Sequence, residues 1–212
     1  MNHHNPLFHN ERLNFYSHMF GTLLAVAAVV ALIVKVAGSG DVWKIVSVSV
    51  YATTLLLLYL FSALYHGLIE GRAKTVLQKL DHIAVYLLIA GTYTPFTLIS
   101  LNGSRGWSLF GVVWGMAVTG IILDLLQRSG LRWMQMVIYL AMGWLVVTVW
   151  PQIIAALPFA GLIWLVAGGI VYTLGTIFYG LDTRLPHAHG IWHLFVLGGS
   201  ACHFIAVYFY VL

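Results

Sequence analysis

The stretch HAHGIWHLFVLGGSACHFIAVYFYVL, residues 187–212, is the last apolar run of the chain and indicates its fold. A helix needs about 20 mostly apolar residues to cross the ~30 Å hydrocarbon core of a bilayer, and this run is long enough. It also carries His189 and His193, which stand four apart and therefore face the same side of a helix. Two imidazoles so placed form half of a zinc site, although the pair alone does not establish one.

The composition places the whole chain in a membrane. Of the 212 residues, 61% are hydrophobic and 8% are charged, whereas soluble domains carry about 25% charged residues. So few charges cannot cover a water-facing surface, and this excludes a soluble or nucleic-acid-binding protein. The single cysteine, Cys202, excludes a disulfide framework.

Seven apolar runs are long enough to span a bilayer. The stretch Trp133–Tyr179 would measure ~70 Å as one helix, so it must turn back once, at Pro151-Gln152 and Pro158. We therefore predict an all-α seven-helix membrane bundle, a single domain over residues 1–212 with a polar cytoplasmic N-terminal segment at residues 1–16. The predicted spans are Ser17–Lys35, Val42–His66, Leu80–Leu101, Trp107–Leu126, Trp133–Trp150, Phe159–Tyr179 and His189–Leu212.

The basic residues predict the orientation, because cytoplasmic loops of membrane proteins carry an excess of Lys and Arg. Seven basic residues lie in the N-terminus and the even-numbered loops, on one side of the membrane. Three lie in the odd-numbered loops and their flanks, on the other side. This imbalance predicts a cytoplasmic N-terminus and an outer C-terminus. The two sets are Arg12, Arg72, Lys74, Lys79, Arg128, Arg132 and Arg184 against Lys35, Lys44 and Arg105.

This topology brings several polar side chains to the same depth. His66 ends the second span, Asp81 begins the third, and His189 and His193 begin the seventh, all within about two helical turns of the cytoplasmic face. Ser62 lies one turn before His66, on the same helix face. Each could be an interfacial group, partly wet, that bonds across helices. Together, the set favours metal binding.

Three neutral imidazoles and one water form the usual catalytic zinc shell, because the fourth position stays open. Such a zinc lowers the pKa of its water to ~7. Asp81 can then accept a proton from that water or orient it, and Ser62 can hydrogen-bond the water or a substrate. A competing role for Asp81 is to hold an imidazole N–H.

Four motifs follow one another along essentially the whole chain: Glu11 with SHMFG at 17–21, SALYH at 62–66, LDH at 80–82 with GTYTP at 91–95, and HGIWH at 189–193. With these motifs the chain resembles the hemolysin III / progestin and adipoQ receptor (PAQR) family, and its short N-terminal region resembles the bacterial branch.

The resemblance implies a seven-helix bundle in the bacterial inner membrane, with a cytoplasmic-side zinc bound by His66, His189 and His193 and with Asp81 and Ser62 beside the metal. The wider superfamily includes alkaline ceramidases. The resemblance therefore implies lipid amide hydrolysis as an activity, with membrane lipids as partners.

Other polar residues have two interpretations. His18 either joins the site or is an interfacial histidine, and Asp124 either lines the cavity or is paired elsewhere. His203 lies ~15 Å along the helix from the His–x3–His pair, so we expect it to bond a neighbouring helix. His82 points roughly 100° away from Asp81, which predicts an interfacial position.

Three functions compete. The first is a zinc-dependent hydrolase of a lipid amide or ester. The second is a membrane-homeostasis or receptor-like protein with a structural zinc, which a closed four-ligand shell would favour. The third, a pore-forming hemolysin, ranks lowest because the polar residues cluster at one end of the spans. The sequence determines neither the substrate nor the oligomeric state.

Overall fold

The computed structural model describes residues 6–126 and 132–212. Within these ranges the chain is helical without strands, and seven segments are long and apolar enough to cross a membrane. The predicted seven-helix membrane fold is therefore confirmed. Arg128 and residues 1–5 of the predicted N-terminal segment lie outside the described residues. The spanning segments are Glu11–Val36, Val42–Gly67, Arg72–Leu101, Gly103–Leu126, Arg132–Ala156, Phe159–Gly180 and Ala188–Tyr210.

Eight α-helices build these spans in the described part of the chain. The third span continues from α3 into a π-helical segment, Phe96–Leu101, and the fifth consists of α5, a 3-10 segment, Leu145–Val149, and α6. The helices are α1 (Pro6–Val36), α2 (Val42–Gly67), α3 (Arg72–Pro95), α4 (Gly103–Leu126), α5 (Arg132–Gly143), α6 (Trp150–Ala156), α7 (Phe159–Gly180) and α8 (Ala188–Tyr210).

The helices form a ring around an internal cavity. Going round it, α1 packs on α2, α2 on α3, α3 on α5, α5 on α7, α7 on α8, and α8 back on α1, while α4 packs against α3 and α5. Close approach depends on small residues: a Cβ on Gly91 of α3 would lie 2.0 Å from Thr54 Oγ1 of α2. The ring places the C-terminal end of α2 and the N-terminal ends of α3 and α8 together, and we call this the histidine end.

The outer surface of the ring suits hydrocarbon. Large apolar side chains on different spans are more than half exposed, among them Leu23, Val34, Val118, Phe159 and Phe209. In water such a surface would be an aggregation liability, but in a bilayer it faces lipid tails. The protein is therefore a multi-pass integral membrane protein.

Several span boundaries differ from the predictions. The prediction that Pro151 belongs to the turn after the fifth span is wrong, because Pro151 lies in the first turn of α6, where its missing N–H has no helical partner to lose. The chain turns at Leu157 and Pro158 instead. The helix α3 begins at Arg72, so Lys74 and Lys79 lie on a helix and not in the predicted charged loop.

The helix α1 also begins earlier than predicted, at Pro6, and continues without a break to Val36. The polar residues Glu11 and Asn14, which the sequence suggested to be water-facing, lie on this helix and line the cavity. A buried polar face on α1 therefore contributes to the site described below.

Tyr93 bridges the break in the fifth span. Its hydroxyl donates to Gly143 O at 2.8 Å and accepts from Val146 N at 2.9 Å. The change from α-helix to 3-10 helix frees backbone groups there, and hydrocarbon offers them no other partner. The tyrosine thus ties α3 to the interrupted fifth span.

We predict that Tyr93→Phe destabilises the protein by about 1–2 kcal/mol, because it leaves two backbone groups without partners. Unfolding of the purified protein in detergent measures this, with Tyr16→Phe as the control because Tyr16 is 65% exposed on α1. Equal stability of the two variants would contradict the bridging role.

Candidate metal centre

Three histidines from two helices converge at the histidine end. His66 comes from the last turn of α2, and His189 and His193 come from successive turns of α8. One ring nitrogen from each lies within 4.8 Å of the others. His66 and His193 are buried, at 7% and 2% exposed, and His189 is partly buried. The three side chains are therefore close enough to hold one metal ion.

A carboxylate orients His66. Its Nδ1 donates to Glu11 Oε2 at 2.5 Å, and Lys74 Nζ donates to Glu11 Oε1 at 3.3 Å. Lys74 also donates to Leu68 O at 3.1 Å. This chain of contacts connects α1, the end of α2 and the start of α3 behind the histidine.

A second carboxylate, in the segment between α7 and α8, orients His189. Its Nδ1 donates to Asp182 Oδ2 at 3.1 Å, and Arg132 donates from NH1 to Asp182 Oδ1 at 2.8 Å and from NH2 to Oδ2. The guanidinium also lies 4.7 Å from the centre of the Tyr179 ring. Burial raises the pKa of Asp182, but the hydrogen bonds from His189 and Arg132 outweigh burial and hold that pKa below its usual value.

A backbone carbonyl orients His193. Its Nδ1 donates to Asn14 O at 3.2 Å, and Ser17 Oγ, which donates to the same carbonyl, lies 3.3 Å from that nitrogen. The His18 ring stacks on one face of this imidazole, with ring centroids 3.6 Å apart. His18 is 3% exposed and lines the cavity, so it joins the site as a packing partner of His193.

These contacts select one nitrogen of each ring for a metal. Because Nδ1 donates a proton to an oxygen in all three, the neutral tautomer keeps its lone pair on Nε2. His66 Nε2 is buried and has no hydrogen-bond partner among the described residues. A donor set of three imidazole nitrogens, each held from behind by an oxygen, fits the usual surroundings of metal-binding histidines.

The two remaining predicted site residues lie beside the histidines. Ser62 is 1% exposed, and its Oγ has no hydrogen-bond partner in the described ranges. Asp81 lines the same cavity and lies near Ser62, His66 and His189. All five predicted residues line one cavity, although their roles as ligands and catalytic groups stay predictions.

The cavity measures about 980 Å³ and extends from the histidine end into the bundle. An apolar pocket of about 290 Å³ adjoins it further along the bundle. The two are adjacent, since their walls share Thr92, Tyr93, Gly143, Trp144, Gly169 and His203. The cavity that holds the histidines therefore borders an apolar pocket inside the membrane.

Other polar residues take positions that the sequence left open or assigned differently. Asp124 lines the cavity, accepts from Gln135 Nε2 and lies 3.7 Å from His82 Nδ1. His82, predicted to be interfacial, thus faces the cavity. His203 donates from Nε2 to Leu165 O of α7 at 3.2 Å, which confirms the expected bond to a neighbouring helix.

The groups that orient the histidines were not predicted from the sequence. Glu11, Asn14 and His18 recur at helical spacing, which would have indicated one face of α1 if the first helix had been predicted to begin earlier. Asp182 lies in a connecting segment seven residues before His189, so no periodicity could relate the two.

A family model described as "Haemolysin-III related" matches residues 7–204. The chain belongs to this family. Within the haemolysin-III-related family, it is 42% identical over 200 residues to the "Hemolysin-3 homolog" of Bacillus subtilis (strain 168), covering 94% of this chain and 93% of the relative. It is 42% identical over 202 residues to "Hemolysin-3" of Bacillus cereus, covering 95% and 92%.

A human relative, "Monocyte to macrophage differentiation factor", is 30% identical over 216 residues, covering 97% of this chain and 86% of the relative. The haemolysin-III-related assignment confirms the resemblance that the motifs indicated. It also agrees with the seven spans of the structure.

For this haemolysin-III-related chain, we predict that Asp182→Asn lowers metal affinity about 10–100-fold, the usual effect of losing a group that orients a metal-binding histidine. The amide lacks the charge that holds His189 and Arg132. Competition with a chromogenic chelator on purified protein measures the affinity. Asp41→Asn is the control, because Asp41 caps α2 at the opposite end and asparagine also caps helices. Equal affinities in both variants would show that Asp182 does not orient a ligand.

Proposed function

We propose that the protein is a zinc-dependent hydrolase of a lipid amide or ester. The observation that carries this proposal is the set of three oriented histidines on the wall of a cavity that is polar near them and apolar beyond. Hydrolysis needs both parts, because a lipid substrate must place a carbonyl at the metal and a chain in an apolar space. Membrane lipids are the proposed partners.

Zinc suits this donor set, because imidazole nitrogen is among its common ligands and three histidines leave the fourth position open. In the described part of the chain, no fourth His, Cys, Asp or Glu joins the group of three within 4.8 Å. The stacked ring of His18 is nearly parallel to that of His193, so its nitrogens lie in a different plane. The arrangement supports an open catalytic shell over a closed structural one.

Zinc bound there would polarise the substrate carbonyl and lower the pKa of a water molecule. Asp81 accepts the proton that this water loses as its oxygen attacks the carbonyl carbon. The same proton then passes from Asp81 to the departing nitrogen or oxygen as the amide or ester bond breaks. Ser62, whose hydroxyl has no hydrogen-bond partner among the described residues, donates to the substrate or the attacking water.

The shape of the cavity orients such a substrate. The apolar pocket is lined by side chains such as Phe96, Leu109, Trp150 and Leu165, which suit an acyl chain. The acidic and basic residues line the chamber at the histidine end. The acyl chain would therefore lie toward the pocket and the headgroup toward the histidine end, with the carbonyl between them.

We further propose that the histidine end faces the cytoplasm of a bacterial inner membrane. Support comes from the basic residues, since Lys74, Lys79, Arg132 and Arg184 all lie at this end of their spans. The positive-inside rule assigns such an end to the cytoplasm. Substrate would then come from the inner leaflet.

We predict that His66→Ala abolishes both zinc binding and hydrolysis, because it removes one of three ligands. Metal analysis and turnover of a panel of lipid amides and esters by purified protein measure the two effects. His187→Asn is the control, since this exposed neighbour has a positive φ of 62° that asparagine tolerates. Hydrolysis by zinc-free protein would show that the mechanism is wrong.

A second change separates catalysis from a structural role for zinc. We predict that Asp81→Asn keeps the metal but lowers turnover by about 10²–10⁴-fold, because the amide cannot accept the proton. Metal content and turnover are measured on the same preparation. Unchanged turnover would exclude Asp81 as the proton acceptor, and loss of the metal would assign it to holding the ligands instead.

A further inference from the structure

We propose that Gln135, on α5, positions the imidazole of His189 on α8. Between the two lie Tyr179, Arg132 and Asp182, and we call Gln135 and these three side chains the Gln135 network. All of them line the cavity. The inference rests on the proposed function only for the role of His189 as a ligand, because the network itself consists of contacts between protein side chains.

The contact nearest to His189 is the ion pair of Asp182 with Arg132. Asp182 accepts from His189 Nδ1 at 3.1 Å, and both of its oxygens accept from the Arg132 guanidinium. The Asp182 side chain is 9% exposed, but that of Arg132 is 42% exposed. Holding a long, exposed arginine in one geometry costs side-chain entropy. A group that supports Arg132 therefore also supports Asp182 and His189.

Tyr179 supplies that support from α7. Its ring centre lies 4.7 Å from the guanidinium carbon of Arg132, within the range of a cation–π contact. The same ring packs on α8, since its centre is 6.1 Å from that of His189 and 5.4 Å from that of Trp192. The position of this one ring therefore affects both the arginine and the histidine.

Gln135 holds the hydroxyl end of Tyr179. Its side-chain Oε1 accepts from Tyr179 OH at 3.5 Å, and the residue is 1% exposed. Gln135 follows Arg132 by three residues, so the two side chains lie on the same face of α5. One face of α5 thus holds the tyrosine twice, at the ring through Arg132 and at the hydroxyl through Gln135.

Asp124 sets the direction of these hydrogen bonds. An ionised carboxylate only accepts, so the NH₂ group of Gln135 must face Asp124 Oδ1. The same Nε2 lies 3.4 Å from His82 Nδ1, which takes its second hydrogen. The amide oxygen is left for Tyr179, whose hydroxyl must then donate. The amide of Gln135 therefore has a single orientation, and so has the tyrosine that it holds.

The first test compares two tyrosine hydroxyls on the cavity wall. Tyr179→Phe removes the bond to Gln135 and keeps the ring beside Arg132. Tyr139→Phe is the matched control, because Tyr139 OH donates to His82 O at 3.1 Å and ties α5 to α3 outside the network. We expect zinc affinity, measured by chelator competition in detergent, to fall about three- to tenfold in Tyr179→Phe and in Gln135→Met, the equivalent of one hydrogen bond. In Tyr139→Phe it should change less than about twofold.

A double-mutant cycle separates positioning from a general loss of stability. If Gln135 acts through Asp182, Gln135→Met should lower zinc affinity less than about twofold once Asp182→Asn is present. If Gln135→Met does not fold, Tyr179→Phe takes its place in the cycle. An equal loss in both backgrounds, or an unchanged affinity in the single variant, would overturn the proposal.

If the wild-type protein binds no zinc, the proposed function fails, and thermal unfolding of the metal-free variants decides the network. The drop in Tm for Gln135→Met combined with Asp182→Asn should then be smaller than the sum of the two single drops, by at least about 2 °C. Such coupling would support the positioning of His189 without the ion. Additive drops would overturn the network as well.

Discussion

Hydrocarbon cannot hydrogen-bond a buried imidazole, and the protein supplies an oxygen partner to Nδ1 of each of the three clustered histidines. The partners come from elsewhere in the chain: Glu11 and Asn14 from α1, and Asp182 from the segment before α8. The contacts that satisfy Nδ1 therefore also fix α1, α2 and α8 against one another. In this protein the packing of the helix ends and the orientation of the three clustered imidazoles depend on the same contacts.

Polar groups deeper in the bundle also need hydrogen-bond partners from the protein. Tyr59 OH donates to Ser200 Oγ at 2.7 Å, and Tyr172 OH lies 2.7 Å from the same oxygen. These hydroxyls connect α2, α7 and α8 beyond the histidines, further into the bundle. The ring of helices thus encloses a polar wall on one side and the apolar pocket near Trp150 on the other. A cavity with two such sides can orient an amphipathic molecule.

The sequence predicted the spans because their length and hydropathy are properties of single segments. It also predicted that His66, His189 and Asp81 lie close together, because alternating spans place the ends that carry these residues at one depth. It could not pair Asp182 with His189, or place Arg132 behind them, because those contacts depend on the path of a connecting segment. The break in the fifth span could not be predicted either, since its backbone groups are bound by the hydroxyl of Tyr93 from another helix.

The charged side chains around the histidines are paired with one another. Two of the histidines are backed by carboxylates, Glu11 and Asp182. Lys74 pairs with Glu11 and Arg132 pairs with Asp182, so neither carboxylate is an unpaired charge. His193, the most deeply buried of the three histidines, is held by a neutral carbonyl instead. The charge is therefore concentrated at the end of the bundle, where water can share the cost of solvating it, and the interior keeps neutral contacts.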